Sequence, residues 1–481
     1  MAENKCRITV HRGLVDISPT PRFLREELTV RRRERQQDRG KTRYVENIEK
    51  LYSTFDHLPG GTITYEGLLD RILDFCRDRD IPYELTDTRT PPPEPEWERL
   101  RGFSFRQGQD DITALIASSR AGGIIECPGG YGKTFVISLL ARLFDGLFNI
   151  LVVTSQIPAV NSIAERVREK LLFGKVAKVG GKGKGFFPSA SVVVCSRSSL
   201  HKVPDDWPGL LIYDEVHGAG ARATAESLSV FSNAVKWGFS ATPSGRHDNS
   251  DRMVEALFGK VRYCMDYEEA RGHEIVVPIE VRMVPVHGQV EAKSDIGRLL
   301  KGIVYNTPRN KEIETVARNV PDGRKVLIMT ATAEHAILLH SILPEYTLNF
   351  GTLSKSGYSR LRKRKIIDEN WKRPSAKGLL EKFRSGEVMK VISTPSWGEA
   401  VDFPDLSVLI RCDGRRGEIG GIQKGLRLSR TTEGKTGAVL IDFDDRFGDV
   451  FISRTRDRIR HYRKQGWNLQ TGYPDWRNLP V

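Results

Sequence analysis

Cysteine is scarce in this sequence, six in 481 residues, at positions 6, 76, 127, 195, 264 and 412. None belongs to a CxxC pair, so no structural zinc is expected, and the thiols read as the reduced ones of a cytoplasmic protein. Long apolar runs are missing too. No window approaches the roughly 18 uninterrupted apolar residues of a membrane helix. The opening MAENKCRITV lacks the apolar core of a secretory signal, and no short-period repeat is visible. Acidic residues are outnumbered, 61 against 75 basic ones, which leaves a net charge of +14 and points to a polyanionic partner, most simply nucleic acid. With 39% hydrophobic and 28% charged residues, what remains is a globular chain of two to four domains, three being the middle estimate.

The chain falls into zones. Residues 1–90 are arginine-rich, with TVRRRERQQDRGKTR followed by short strand-like and helix-like stretches, and read as a small α+β domain. Four prolines in TPPPEPEW exclude a helix interior or a sheet centre, so 91–102 reads as a linker. From Phe103 the runs GGIIE, NILVVTS, SVVVCS, GLLIYDE and AVKWGFSAT alternate with helical spacing, the pattern of a parallel sheet covered on both faces. The pattern starts again with RKVLIMTAT, YTLNFGT, KVISTPS, SVLIRCD and GAVLIDFDD. Two α/β lobes, 103–275 and 276–450, and a tail, 451–481, are expected. The stretch Ser354–Lys377, nine basic residues against two acidic, interrupts the second lobe.

After GGIIE the chain reads Cys127-Pro128-Gly129-Gly130-Tyr131-Gly132-Lys133-Thr134-Phe135 and continues as a helix. A strand, a glycine-rich turn and a helix N-terminus in that order cradle phosphate. Lys133 would reach the β- and γ-phosphates of a nucleoside triphosphate and Thr134 would hold Mg²⁺. The strict motif has glycine where Cys127 stands. Some 80 residues later, Asp214 and Glu215 leave the end of the apolar run GLLIY, at the edge where ligands sit in open α/β sheets. Asp214 fits as the carboxylate supporting Mg²⁺, Glu215 as the group that orients and deprotonates water.

These motifs make the chain similar to the superfamily 2 helicases and translocases. DEVH at 214–217 resembles a DExH box, and Phe105-Arg106-Gln107-Gly108-Gln109 resembles the element that reads adenine through Arg106 and Gln109. Ser240-Ala241-Thr242-Pro243 resembles the element coupling nucleotide state to the nucleic-acid track. Glu399-Ala400-Val401-Asp402-Phe403-Pro404 and Gln423-Lys424-Gly425-Leu426-Arg427-Leu428-Ser429-Arg430 resemble the second-lobe elements, with Ala400 and Leu426 where glycine is usual. The resemblance implies two tandem RecA-like domains behind a small N-terminal DNA-engaging domain. It implies nucleotide contacts from Asp402, coupling through Gln423, and arginine fingers at Arg427 and Arg430 that complete the site when the lobes close. Similarity to the XPB and bacteriophage UvsW branch implies a DNA helicase of repair, recombination or replication, functional as a monomer in the cytoplasm and acting on duplex or branched DNA.

A strand-tracking motor needs hydroxyls and bases at its strand ends. The candidates are Thr154, Ser155, Gln156, Arg197 and Ser198 in the first lobe and Thr330 and Thr394 in the second. Lys182 and Lys184 in GGKGKGFF, Arg362, Lys363, Arg364 and Lys365 in the basic stretch, and the cluster Arg31–Arg43 join them. His217, Trp207, Trp237 and Trp371 read as structural. Three alternatives stay open: a duplex translocase that separates no strands, an RNA helicase, and a DNA-binding scaffold with an inactive nucleotide site.

Overall fold

The computed structural model describes residues 5–38, 41–54, 60–155, 157–181, 185–241, 251–292, 294–376, 378–394, 403, 405–415, 428, 431–432 and 434–479, leaving aside the side chains of 32–46 and 158. Gln156, Lys182, Lys184, Thr242, Asp402, Gln423, Arg427 and Arg430 therefore lie outside the described residues. The chain divides into two units, Met1–Cys127 with Gly132–Met265, and Asp266–Val481 with Pro128–Tyr131.

Alternating apolar and polar residues at the start form the hairpin β1 (Cys6–His11) and β2 (Leu14–Ser18), turned at Gly13 with φ +82°. The arginine-rich stretch is a two-stranded ribbon, β3 (Thr29–Asp38) against β4 (Lys41–Lys50), in register from Thr29↔Lys50 to Asp38↔Lys41. β5 (Tyr52–Ser53), β6 (Thr62–Tyr65) and β7 (Tyr83–Asp87) complete a sheet of order β5-β6-β2-β1-β7. The helix Leu69–Arg77 buries Ile72, Phe75 and Cys76. These residues share one continuous core with the first lobe. Arg71 fastens the two, bonding Glu27 at 2.8 Å and Glu255 at 2.7 Å.

The first lobe's sheet is all parallel, in the order β10-β11-β9-β12-β13-β8-β14. Its strands are β8 (Gly123–Glu126), β9 (Ile150–Thr154), β10 (Val176–Val179), β11 (Val192–Ser196), β12 (Leu210–Asp214), β13 (Val235–Ser240) and β14 (Val261–Cys264). β9, β11 and β13 are buried along their whole length, as strands covered on both faces must be. The second unit repeats the design as β17-β18-β16-β19-β20-β15-β21. Here the strands are β15 (Ile279–Val286), β16 (Val326–Met329), β17 (Thr347–Asn349), β18 (Lys390–Ser393), β19 (Val408–Arg411), β20 (Ala438–Asp445) and β21 (Asn468–Thr471). The two tandem RecA-like sheets and the small mixed domain ahead of them are thus present.

Two expectations are corrected. Residues 451–481 are no detached tail: the helix Asp449–Lys464 packs on β20, and β21 pairs with β15. Nor does 354–377 merely interrupt the second lobe. It contains the helix Lys355–Lys363, and Leu361 and Ile367 are buried in that lobe's core, with Trp371 against it. Three arginines and three aspartates are also buried there. Arg309 pairs with Asp445 at 2.8 Å, Arg411 with Asp413 at 3.0 Å, and Arg458 with Asp442 at 2.9 Å. Tyr462 donates its hydroxyl to Asp442 at 2.7 Å and accepts from Arg411 at 2.8 Å. The charges cancel, as buried ions require.

Candidate nucleotide site

β8 ends at Glu126 and gives way to the glycine turn, while the helix Lys133–Leu143 starts directly after Gly132. Gly130 and Gly132 have φ of +93° and +100°, values that L side chains rarely adopt. A Cβ at Gly132 would also sit 2.6 Å from Gln109 Nε2. Gln109 is buried and its Oε1 accepts the Arg106 N–H at 2.9 Å, so the Arg-x-x-Gln element lies against the turn's last glycine. Phe135 packs on Phe103, ring centroids 6.3 Å apart.

Parallel strands bring their C-terminal ends to one edge, and register aligns them: Asp214 faces Phe239 and Ser240 faces Glu126. β13, between β12 and β8, therefore carries Ser240 between the acidic pair and the turn. The Cys127 N–H donates to Ser240 O at 3.0 Å, and Ser240 Oγ lies 3.4 Å from His217 Nδ1. His217 Nδ1 is in turn 3.4 Å from Glu215 Oε2, and Lys133 Nζ is 3.2 Å from Glu215 Oε1. Turn, acidic pair and Ser240 form one connected chain of polar contacts. His217, read from the sequence as structural, is a member of it; the fourth position of DEVH was its only signal.

The electrostatics are those of a site built for a cation and an anion. Burial and the adjoining charge of Glu215 hold Asp214 above the usual carboxylate range. Burial works the same way on Glu215, but Lys133 and His217 outweigh it and keep that carboxyl ionised well below its ordinary value. Lys133 is likewise penalised by burial, yet Glu215 and Asp214 raise it above the ordinary lysine range. Burial pushes the Cys127 thiol up to about 12, so it is a neutral filler where the motif has glycine. Glu215 itself has φ +60°, unusual for a residue with a side chain and typical of functional positions.

This donor set fits ATP and Mg²⁺. Lys133 offers an ammonium and Thr134 a hydroxyl at the start of an eleven-residue helix, and the two carboxylates stand side by side at the C-terminal end of β12. A bound Mg²⁺ would supply charge neutralisation at the phosphates and favour ionised Asp214. Glu215, ionised and held by Lys133 and His217, has the acceptor needed to orient water and take its proton.

Residues 103–245 match the family described as type III restriction enzyme, res subunit. The chain is similar in sequence to superfamily 2 helicases and translocases. Relatives agree: the DNA 3'-5' translocase XPB2 of Sulfurisphaera tokodaii is 23% identical over 60% of this chain and 70% of its own. A protein assigned as an ATP-dependent RNA helicase in Acanthamoeba polyphaga mimivirus is 21% identical over 73% of this chain and 66% of its own. Among solved structures, a fragment assigned as an HsdR subunit of a type I restriction enzyme from Vibrio vulnificus YJ016 shares the fold at TM-score 0.54 and 18% identity, covering 76% of this chain and 67% of that one. The chain spans between 65% and 70% of the length of the curated relatives it matches.

The other sequence candidates take varied places. Thr154 is buried at the end of β9 and Ser155 follows it exposed; Arg197 and Ser198 are exposed after β11. Ser198 Oγ lies 3.2 Å from Ser196 Oγ. In the second unit, Thr330 is buried and its hydroxyl donates to Thr332 O at 3.1 Å, while Thr394 is buried with its N–H on Asn349 O at 3.3 Å. Arg362, Lys363, Arg364 and Lys365 are exposed, and Arg364 covers the Tyr305 ring at 3.9 Å.

Proposed function

We propose that this protein is an ATP- and Mg²⁺-dependent motor on DNA that acts on duplex or branched substrates by unwinding, branch migration, fork regression or R-loop removal. The observation that carries the motor reading is the contact chain from the glycine turn through Lys133, Glu215 and His217 to Ser240. DNA as the track is supported by the translocase relative, by the restriction-enzyme family match and by the charge of +14. In this reading Arg106 and Gln109 read adenine, Pro128–Thr134 and Phe135 hold the phosphates, Asp402 contributes from the second lobe, and Arg427 and Arg430 neutralise charge as the γ-phosphoryl leaves. Ser240, Thr242 and Gln423 couple hydrolysis to the track. Residues 1–90 engage DNA, 91–102 link them to the lobes at 103–275 and 276–450, and one chain suffices. RNA as the track is a second reading, favoured by the mimivirus relative.

Hydrolysis measured with single-stranded DNA, duplex, four-way junction and RNA tests the proposal. Strong stimulation by duplex or junction is expected, and stimulation by RNA alone would overturn the choice of DNA. Strand displacement beside triplex displacement then separates unwinding from translocation. Lys133→Ala should abolish hydrolysis and leave DNA binding largely intact; surviving hydrolysis would sink the site assignment.

A further inference from the structure

β13 carries a residue out of keeping with its surroundings. In the run Ala-Val-Lys-Trp-Gly-Phe, Lys236 is only 8% exposed. Among the described residues no acceptor lies within hydrogen-bond distance of its ammonium, which feels the attraction of Glu66 and the repulsion of Arg12. Glu66 is already engaged: it accepts from Arg89 at 2.8 Å, from the Gly13 N–H at 2.7 Å and from Arg12 at 3.4 Å. Burial accordingly pushes Lys236 down to about 8.

Lys236 borders a cavity of about 490 Å³, within the range of ligand sites and far beyond an ordinary packing void. The N-terminal sheet lends Leu51, Tyr52 and Tyr65 to its wall, and the first lobe lends Ala234, Leu257 and Phe258. The two sides are locked together. A Cβ on Gly67 would lie 2.2 Å from Glu255 O, and Asp70 on the rim is bound by Arg262 at 2.6 Å. The chamber also stands apart from the nucleotide site. Lys236 is near the start of β13 and Ser240 at its end, about 13 Å away at roughly 3.3 Å per residue.

We propose that this cavity binds a small organic anion, a carboxylate, sulfonate or monophosphate on an apolar body. Its charged group meets Lys236, and its body lies against Tyr52, Tyr65 and Phe258. Such a ligand satisfies a buried ammonium that has no acceptor among the described residues and fills a space that side chains leave open. Binding involves no step of hydrolysis, so the inference stands or falls apart from the motor reading.

Fluorescence titration of the full chain with anilinonaphthalenesulfonate, beside its uncharged counterpart N-phenylnaphthylamine, tests it. The wild type should bind the sulfonate saturably at one site per chain and more tightly than the uncharged dye. Lys236→Met should weaken the sulfonate about tenfold or more, the worth of a charge-assisted contact, and leave the uncharged dye unchanged. Ala234→Phe, which fills the chamber and keeps the charge, should abolish both. Equal affinities of the two dyes for the wild type, unchanged sulfonate binding in Lys236→Met, or unchanged binding in Ala234→Phe would each overturn the proposal.

Discussion

Glu215 is held from two sides, by Lys133 and by His217, on a backbone that has turned left-handed to present it. Glu215→Gln keeps the shape but removes the proton acceptor, so hydrolysis should fall at least 100-fold. ATP binding should hold or tighten, because Lys133 loses the carboxylate that competes with phosphate; weaker nucleotide binding in an equilibrium titration would count against the arrangement. Lys236 makes a prediction in pH. Its folded value of about 8 lies below its ordinary 10.5, so between those limits the unfolded chain holds a proton that the folded chain sheds. Stability then rises with pH across that window, and the penalty is complete below it. Lys236→Met should therefore stabilise by up to about 3 kcal/mol at pH 7 and by less at pH 10. Thermal melts at the two pH values check this, and an equal gain at both would refute it. The nucleotide-site residues were legible because glycines, lysine and paired carboxylates stand next to apolar strands. Lys236 was not, since one lysine in an apolar run carries no mark of what faces it.

Strands told a similar story. Runs such as ILVVT, VVVCS and VLIM are continuous because both faces of the sheet are covered, and each is a strand in the structure. Four strands of the two lobes are not legible in the sequence. VAKV, VRYC and NLQT are short edge strands with polar residues facing solvent, while IEVRMVPV alternates and holds a proline. The ribbon of β3 and β4 was hidden for another reason: its ten-residue strands are so charged that they read as an arginine cluster. The basic helix Lys355–Lys363 changes how its role is best tested. Deleting 354–377 would remove Leu361 and Ile367 from the core, so surface substitutions are the cleaner probe. Replacing Arg362, Lys363 and Lys365 with glutamine should lower the salt slope of DNA binding by about 2, at roughly 0.7–0.9 per phosphate contact. An unchanged slope would make these residues bystanders.

At the scale of the whole molecule, each unit is closed by charges as well as by apolar packing. Arg458→Met would leave Asp442 and Asp445 short of a buried partner and should cost about 3–5 kcal/mol. Denaturant unfolding would show it, and a second substitution, Asp442→Asn, should restore part of the loss; a loss below 1 kcal/mol would mean that the cluster is better hydrated than its burial implies. The strand order has a consequence in time. β15 pairs with β20 on one side and β21 on the other, yet β20 begins at Ala438 and β21 at Asn468. At roughly 5–20 residues per second of synthesis, an eight-residue apolar-and-polar strand waits on the order of 10–40 s for its neighbours. Throughout that interval its backbone donors and acceptors are open to any passing strand, so the nascent second lobe is a natural client for a chaperone, and slowing the ribosome beyond Val286 should raise the insoluble fraction of this protein.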